Sequence, residues 1–271
     1  MNWTDEIEEK FIETNGITLH TIIIGKGEPL LLLHGFPDFW FGWKKLIPLI
    51  KDKFQLIIPD MRGYNLSDKP TGVENYRIEL LIEDIHGLIE HFGFKSIYLA
   101  GHDWGGVLSW FIAEKHPDKI EKLAIINAPH LKIFQEKLKN DDAQKKASSY
   151  IFRFLKPDGE APLIANNFQM MRMGLKEDED KYMAAWSQPG SINCGVNYYR
   201  ANMDYEDWTG VIKVPTLVIH GMKDGAILPV VLDGLDNYIK DLKIIRANGL
   251  GHSAMKEDPQ MVASAFIEFF Q

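Results

Sequence analysis

The chain has 271 residues, 45% of them hydrophobic and 25% charged, enough to build one large α/β domain or a core with a small second unit. Thirty Lys and Arg against 38 Asp and Glu give a net charge of −8, which argues against nucleic acid or an anionic membrane as partner. No apolar stretch approaches the roughly 20 residues that span a bilayer, and Met1 to Lys10 is polar and acidic rather than signal-like. In chain order, Phe11 to Ile24 predicts two strands turning at Asn15-Gly16. Leu30 to Leu33 is an unbroken apolar run, as in a strand covered on both faces, and leads into His34-Gly35-Phe36-Pro37. A helix is expected through about Ile50, then a buried strand from Phe54 to Pro59 and a loop from Asp60 to Pro70. Leu81, Ile85, Leu88, Ile89 and Phe92 make a helix face that stops at Gly93. Ile97 to Ala100 reads as a strand, with helical spacing from Gly106 to about His116, and Leu123 to Ile126 as another strand.

After Asn127-Ala128-Pro129 the character changes. Lys132 to Lys146 is highly charged and reads as a solvated helix face; Tyr150 to Trp208 is rich in Met, Asn and aromatics without strand runs. Met170, Met171, Met173 and Met183 could line an adaptable pocket or pack this segment on the core. Val214 to His220 and Lys243 to Arg246 resume the buried-strand style, and Pro259 opens a last helix. Strands alternating with helices predict a mostly parallel, doubly wound sheet. Residues 1–129 and 214–271 are expected to form its core. Residues 130–213 read as a helical insertion over one edge, roofing a site beyond the carboxyl ends of the strands. The single cysteine, Cys194, is expected to be a passive thiol, and with it a reducing, cytoplasmic setting.

The chemistry is concentrated in Gly101-His102-Asp103-Trp104-Gly105. A strand running through a Gly-x-Asp-x-Gly turn into a helix is the nucleophile-elbow pattern, with aspartate where serine usually stands. A carboxylate attacking a carbonyl gives an anhydride and gains nothing; attacking a saturated carbon that bears a leaving group, it gives an ester that water can hydrolyse. Asp103 therefore points to epoxides or alkyl halides. Asp224 and His252 follow in loops at the carboxyl ends of later strands, in the chain order nucleophile, acid, histidine. Asp233 and Asp236 read as solvated charges, and Asn127 occupies the alternative acid position without a charge. The N–H groups of Phe36 and Trp104 are the candidate oxyanion hole, and His34 a structural loop histidine.

His34-Gly35-Phe36-Pro37, the 60–70 loop, the Asp103 elbow and the late Asp224 and His252 resemble the epoxide hydrolases of the α/β-hydrolase superfamily. The resemblance spans nearly the whole chain. It implies an eight-stranded sheet with an inserted helical cap, and no cofactor or metal. It implies partners limited to a small apolar epoxide and water, with the chain a monomer or homodimer. Epoxide hydrolases use two cap tyrosines to protonate or hold the leaving alkoxide, and Tyr150 and Tyr199 resemble them, with Tyr198 the rival for the second place. Haloalkane dehalogenases share Trp104 but commonly carry asparagine or a second tryptophan as the other halide donor, where this chain has Phe36. Haloacetate dehalogenases carry arginine where Trp104 stands. The remaining readings are a haloalkane dehalogenase and a non-catalytic ligand-binding protein of the same fold.

Overall fold

A computed structural model describes residues 3–175 and 177–271. Strands β1 (Glu8–Thr14) and β2 (Ile17–Gly25) form the expected hairpin, beginning three residues earlier than the pattern suggested. Asn15 and Gly16 turn it at φ 46° and 74°, the left-handed pair such tight hairpins require. β3 (Glu28–Leu33), β4 (Phe54–Pro59), β5 (Ile97–His102), β6 (Ile120–Ile126), β7 (Thr216–Gly221) and β8 (Leu242–Ala247) complete one eight-stranded sheet. Its order is β1-β2-β4-β3-β5-β6-β7-β8. β1 and β2 are antiparallel, β2 joins β4 antiparallel, and β3 to β8 run parallel.

The uninterrupted leucine run has a direct packing cause. Leu31 and Leu33 enter a core with Ile85 and Leu88 of α2 (Ile78–His91) and Leu108 of α3 (Trp104–Lys115). Leu30 and Leu32 enter a second core with Ile47 and Ile50 of the short helix α1 (Ile47–Ile50) and Val262 and Phe266 of the last helix (Pro259–Phe270). Both faces of the strand are dry, so nothing in it can alternate with polar residues. The helix expected through Ile50 is instead a 3-10 turn at Trp40–Trp43 and that single turn at Ile47–Ile50. Pro48 has no N–H to continue a helix arriving from Lys44.

The segment 130–213 carries α4 (Leu131–Asn140), α5 (Asp142–Ala147), α6 (Ser149–Phe154), α7 (Ala161–Arg172), α8 (Glu179–Trp186) and α9 (Ser191–Asn202), with no named strand among the described residues. α7 is broken at Ala165–Phe168, where three residues have positive φ. The charged run 132–146 is not one solvated face. It breaks at Asp141, which caps α5, while Ile133, Phe134 and Gln144 are buried. α8 is pinned to the loop after β3: Trp186 Nε1 donates to the Pro37 carbonyl at 2.7 Å and the Tyr182 hydroxyl to Asp38 at 3.0 Å. Among the described residues no helix is long and apolar enough to cross a membrane.

A buried ion pair locks the 60–70 loop to α2. Arg62 Nε and Nη2 donate to the two Asp84 oxygens at 2.7 and 2.6 Å, and the Arg62 carbonyl accepts from the Tyr198 hydroxyl of α9 at 2.8 Å. Asp84→Ala would leave the guanidinium buried without its partner, a loss of about 3–5 kcal/mol. Urea unfolding should show that drop in midpoint at unchanged slope; a change under about 1 kcal/mol would mean the loop is held by other contacts.

Candidate active site

Asp103 sits between β5 and α3 with φ 51° and ψ −123°, a conformation costly for any residue with a side chain. The turn is this sharp because two glycines let the chain segments around it approach closely. A Cβ on Gly35 would lie 2.3 Å from Asp103 Cβ, and one on Gly105 would lie 2.3 Å from the Leu33 carbonyl oxygen. The side chain is thereby held at the carboxyl ends of β3 and β5. Its Oδ1 accepts the Phe36 N–H at 2.7 Å. Trp104 opens α3, where the first N–H groups have no partner within the helix. The two carboxylate oxygens differ: Oδ1 is taken by Phe36, and Oδ2 faces His252 Nε2 at 3.5 Å.

Asp224 follows β7 and is almost wholly buried. Its Oδ1 accepts the N–H groups of Ala226 and Ile227 at 2.9 and 3.0 Å. Its Oδ2 accepts from His252 Nδ1 at 2.7 Å and from the Asn127 amide at 2.8 Å. An ionised carboxylate can only accept, so Nδ1 carries the proton and Nε2 is the nitrogen aimed at Asp103. Burial alone would raise the Asp224 carboxyl, but His252 and the two N–H groups outweigh it and bring it down to about 2. Burial resists charging His252, yet its two flanking carboxylates carry it up to about 10. Asp103, buried but paired with His252 and Phe36, lies below the ordinary carboxylate value. Both carboxylates therefore favour the charged form of the His252 ring.

Tyr150 of α6 and Tyr199 of α9 line one cavity with Asp103, whose other walls include Trp104, Leu131, Phe134 and Ile227. The two phenol rings lie 6.2 Å apart, near perpendicular, and Tyr199 packs edge-on against Trp104 at 5.0 Å. Burial, then the charge of Asp103, raises both phenols, so both remain protonated donors at neutral pH. Tyr198, one residue away, is turned from the cavity into the core and donates to Arg62. Met170 and Met173 are exposed, Met171 and Met183 pack on the core, and the methionine at the cavity is Met203. Cys194 is buried, and burial raises its thiol. Among the described residues no group of three or more His, Cys, Asp or Glu is placed to hold a metal.

A family model for the alpha/beta hydrolase fold matches residues 28–259. The chain is 36% identical to AB hydrolase superfamily protein YfhM of Bacillus subtilis (strain 168), over 98% of this chain and 99% of that protein. It is 30% identical to epoxide hydrolase 4 of Mus musculus, over 96% of this chain and 77% of the relative. Among solved structures it matches the Bacillus megaterium epoxide hydrolase in complex with an inhibitor, with TM-score 0.90, 33% identity, and coverage of 96% and 99%. The chain belongs to the epoxide hydrolases of the α/β-hydrolase fold.

Within this epoxide hydrolase fold, the seven residues given catalytic or oxyanion-hole roles from the sequence lie at one place. Asp103, Phe36, Trp104, Asp224, His252, Tyr150 and Tyr199 converge at the carboxyl ends of β3, β5, β7 and β8, under α6 and α9. Two supporting residues have roles that the sequence does not announce. Asn127, at φ 44°, is uncharged as noted but is an Asp224 hydrogen-bond donor, not a bystander. His102 donates from Nε2 to the His252 carbonyl at 2.9 Å, and burial lowers its pKa to about 4, so it stays neutral. His34 is structural, accepting the Met61 N–H at 3.0 Å through Nε2.

Proposed function

We propose that the chain converts an epoxide to a vicinal diol through an ester on Asp103, under a cap formed by residues 130–213. The observation that carries this is two protonated phenols in the same cavity as the elbow carboxylate. Asp103 Oδ2, the oxygen not held by Phe36, attacks an oxirane carbon and the carbon–oxygen bond opens. The alkoxide is a poor leaving group until it is protonated, and Tyr150 and Tyr199 supply hydrogen bonds and a proton. Esterification removes the Asp103 charge, one of the two that hold the proton on His252. The imidazole pKa falls and it releases its proton to solvent as the phenolate recovers one. Neutral His252, oriented by Asp224, then takes a proton from water, and the hydroxide attacks Asp103 Cγ. Oδ1 becomes the oxyanion of that step, facing the N–H groups of Phe36 and Trp104. The His252 proton then goes to the departing diol oxygen. No cofactor enters these steps.

The rival reading is haloalkane dehalogenation by the same Asp–His–Asp set. A departing halide needs no proton, only weak N–H donors, and gives the two cavity phenols no task. A ligand-binding protein without catalysis would not need an elbow carboxylate facing a histidine that a second carboxylate orients. Turnover of styrene oxide is expected, with none of 1-bromobutane, and Asp103→Ala as the blank. Bromide release without diol formation would favour the dehalogenase; binding of either compound without turnover would favour the third reading.

A further inference from the structure

Gln144, the third residue of α5, is fully buried and lies outside the cavity lining. Its amide is fully used. Nε2 donates to the Ser148 hydroxyl at 2.7 Å and to the Ala226 carbonyl at 2.9 Å, and Oε1 accepts the Leu228 N–H at 2.8 Å. Ser148 Oγ adds a donation to the same Ala226 carbonyl at 3.1 Å. The amide thus pairs with residues 226 and 228 as a neighbouring strand's backbone would. The other side of that short segment is the acid site, since the Ala226 and Ile227 N–H groups point at Asp224 Oδ1. Gln144 also reaches the opposite wall: Ser148 is the residue before α6, whose second residue is Tyr150, and the Ser148 carbonyl accepts the Ile151 N–H. Tyr150 and Ile227 meet at the same cavity.

We propose that Gln144 is a positioning residue for both half-reactions, clamping the Asp224 loop and the Tyr150 helix to one another. This rests on the covalent mechanism above. Ester formation depends on where the Tyr150 hydroxyl stands, and ester hydrolysis on where Asp224 holds His252. A side chain that fixes both should matter to both rates, while substrate binding, in which it has no contact, should not change. A buried glutamine with only a structural role would cost stability and leave the two rates of the folded protein alone.

The test is single-turnover kinetics with styrene oxide and excess enzyme, quenched over time, following ester on the protein by intact mass and diol by chromatography. Wild type, Gln144→Leu and Ser148→Ala are compared well below their unfolding temperatures. In Gln144→Leu, which keeps the volume and removes the amide, ester formation and ester hydrolysis should each slow by about tenfold or more, because misplaced reacting groups are penalised steeply. The substrate concentration giving half-maximal ester formation should stay within about twofold of wild type, as expected when only transition-state geometry is lost. Ser148→Ala should slow both steps less, by about fivefold, the loss of one net hydrogen bond in the clamp. Unchanged rates in a destabilised Gln144→Leu, or slowing of one step only, would overturn the inference. If Gln144→Leu does not fold, Ser148→Ala decides by the same criteria. If wild type itself forms no ester, the mechanism above fails first; if wild type does and both variants match it, only the role of Gln144 fails.

Discussion

The His252→Gln protein is expected to consume one equivalent of styrene oxide and stop with the substrate attached to Asp103. Attack on the epoxide needs an ionised Asp103, the Phe36 N–H on Oδ1 and the two phenols, none of which is His252. Ester hydrolysis needs a base, and Nε2, set by the Nδ1 bond to Asp224, is the nitrogen placed for it at 3.5 Å from Asp103 Oδ2. Glutamine has no basic nitrogen, so hydrolysis should fall by about 10²–10⁴-fold. The protein mass should rise by one substrate, with the added mass on the peptide bearing Asp103. The variant also changes the acid limb of ester formation. Burial pushes the Asp103 carboxyl up and His252 is the main group that brings it down. Without His252 the carboxyl protonates at higher pH than in wild type, so ester formation should begin to fail earlier as pH is lowered. Sustained turnover by the variant, or label on another residue, would remove His252 from the role of base.

Tyr150→Phe and Tyr199→Phe attack the other half of the reaction. Tyr199 is buried and Tyr150 half-buried beside the elbow carboxylate, and both stay protonated to high pH, so each can donate to the alkoxide. Removing one preorganised donor to an oxyanion typically costs about 10²–10³ in rate. The double variant should be at least as slow as the slower single, although the two effects need not add, because donors acting as a unit are not independent. Both side chains line the cavity rather than the interior of the core, so far-UV circular dichroism and unfolding midpoints should change little. The comparison with Tyr198→Phe is informative: that hydroxyl bonds the Arg62 carbonyl, so its loss should reduce stability more than rate. Rates of ester formation unchanged in both cavity variants and in the double would take the phenols out of the mechanism.

Asp103 is legible in the sequence because its signal is local: an apolar strand, a glycine frame and a helix in one short stretch. The leucine run before His34 is legible for the same reason, since burial on both faces leaves no polar positions. The choice between Tyr198 and Tyr199 is not local. Adjacent helix residues point about 100° apart, and which one faces Asp103 depends on how α9 docks. It docks with Tyr198 against Tyr64 and Tyr76 at 5.4 and 5.8 Å, which leaves Tyr199 to the cavity. Asn127 and Gln144 are harder still. Their partners lie 97 and 82–84 residues away, and a neutral amide has no spacing pattern that announces such a bond. The break at Pro48 was open to view, because proline ends a helix for a local reason; the split of 132–146 at Asp141 follows from a cap whose partner, the Gln144 N–H, is three residues on.

The covalent ester on Asp103 is tested most directly by one turnover in ¹⁸O-water with enzyme in excess. If Asp103 is the nucleophile, its own oxygen goes to the substrate, and water then attacks Cγ. The new oxygen stays on the carboxylate, and the first diol released carries ordinary oxygen, with label entering diol only in later turnovers. If Asp103 merely activates water for direct attack on the epoxide, the first diol is labelled and the carboxylate is not. Unlabelled first-turnover diol with ¹⁸O in the Asp103 peptide is expected; stoichiometric label in that first diol would overturn the covalent mechanism.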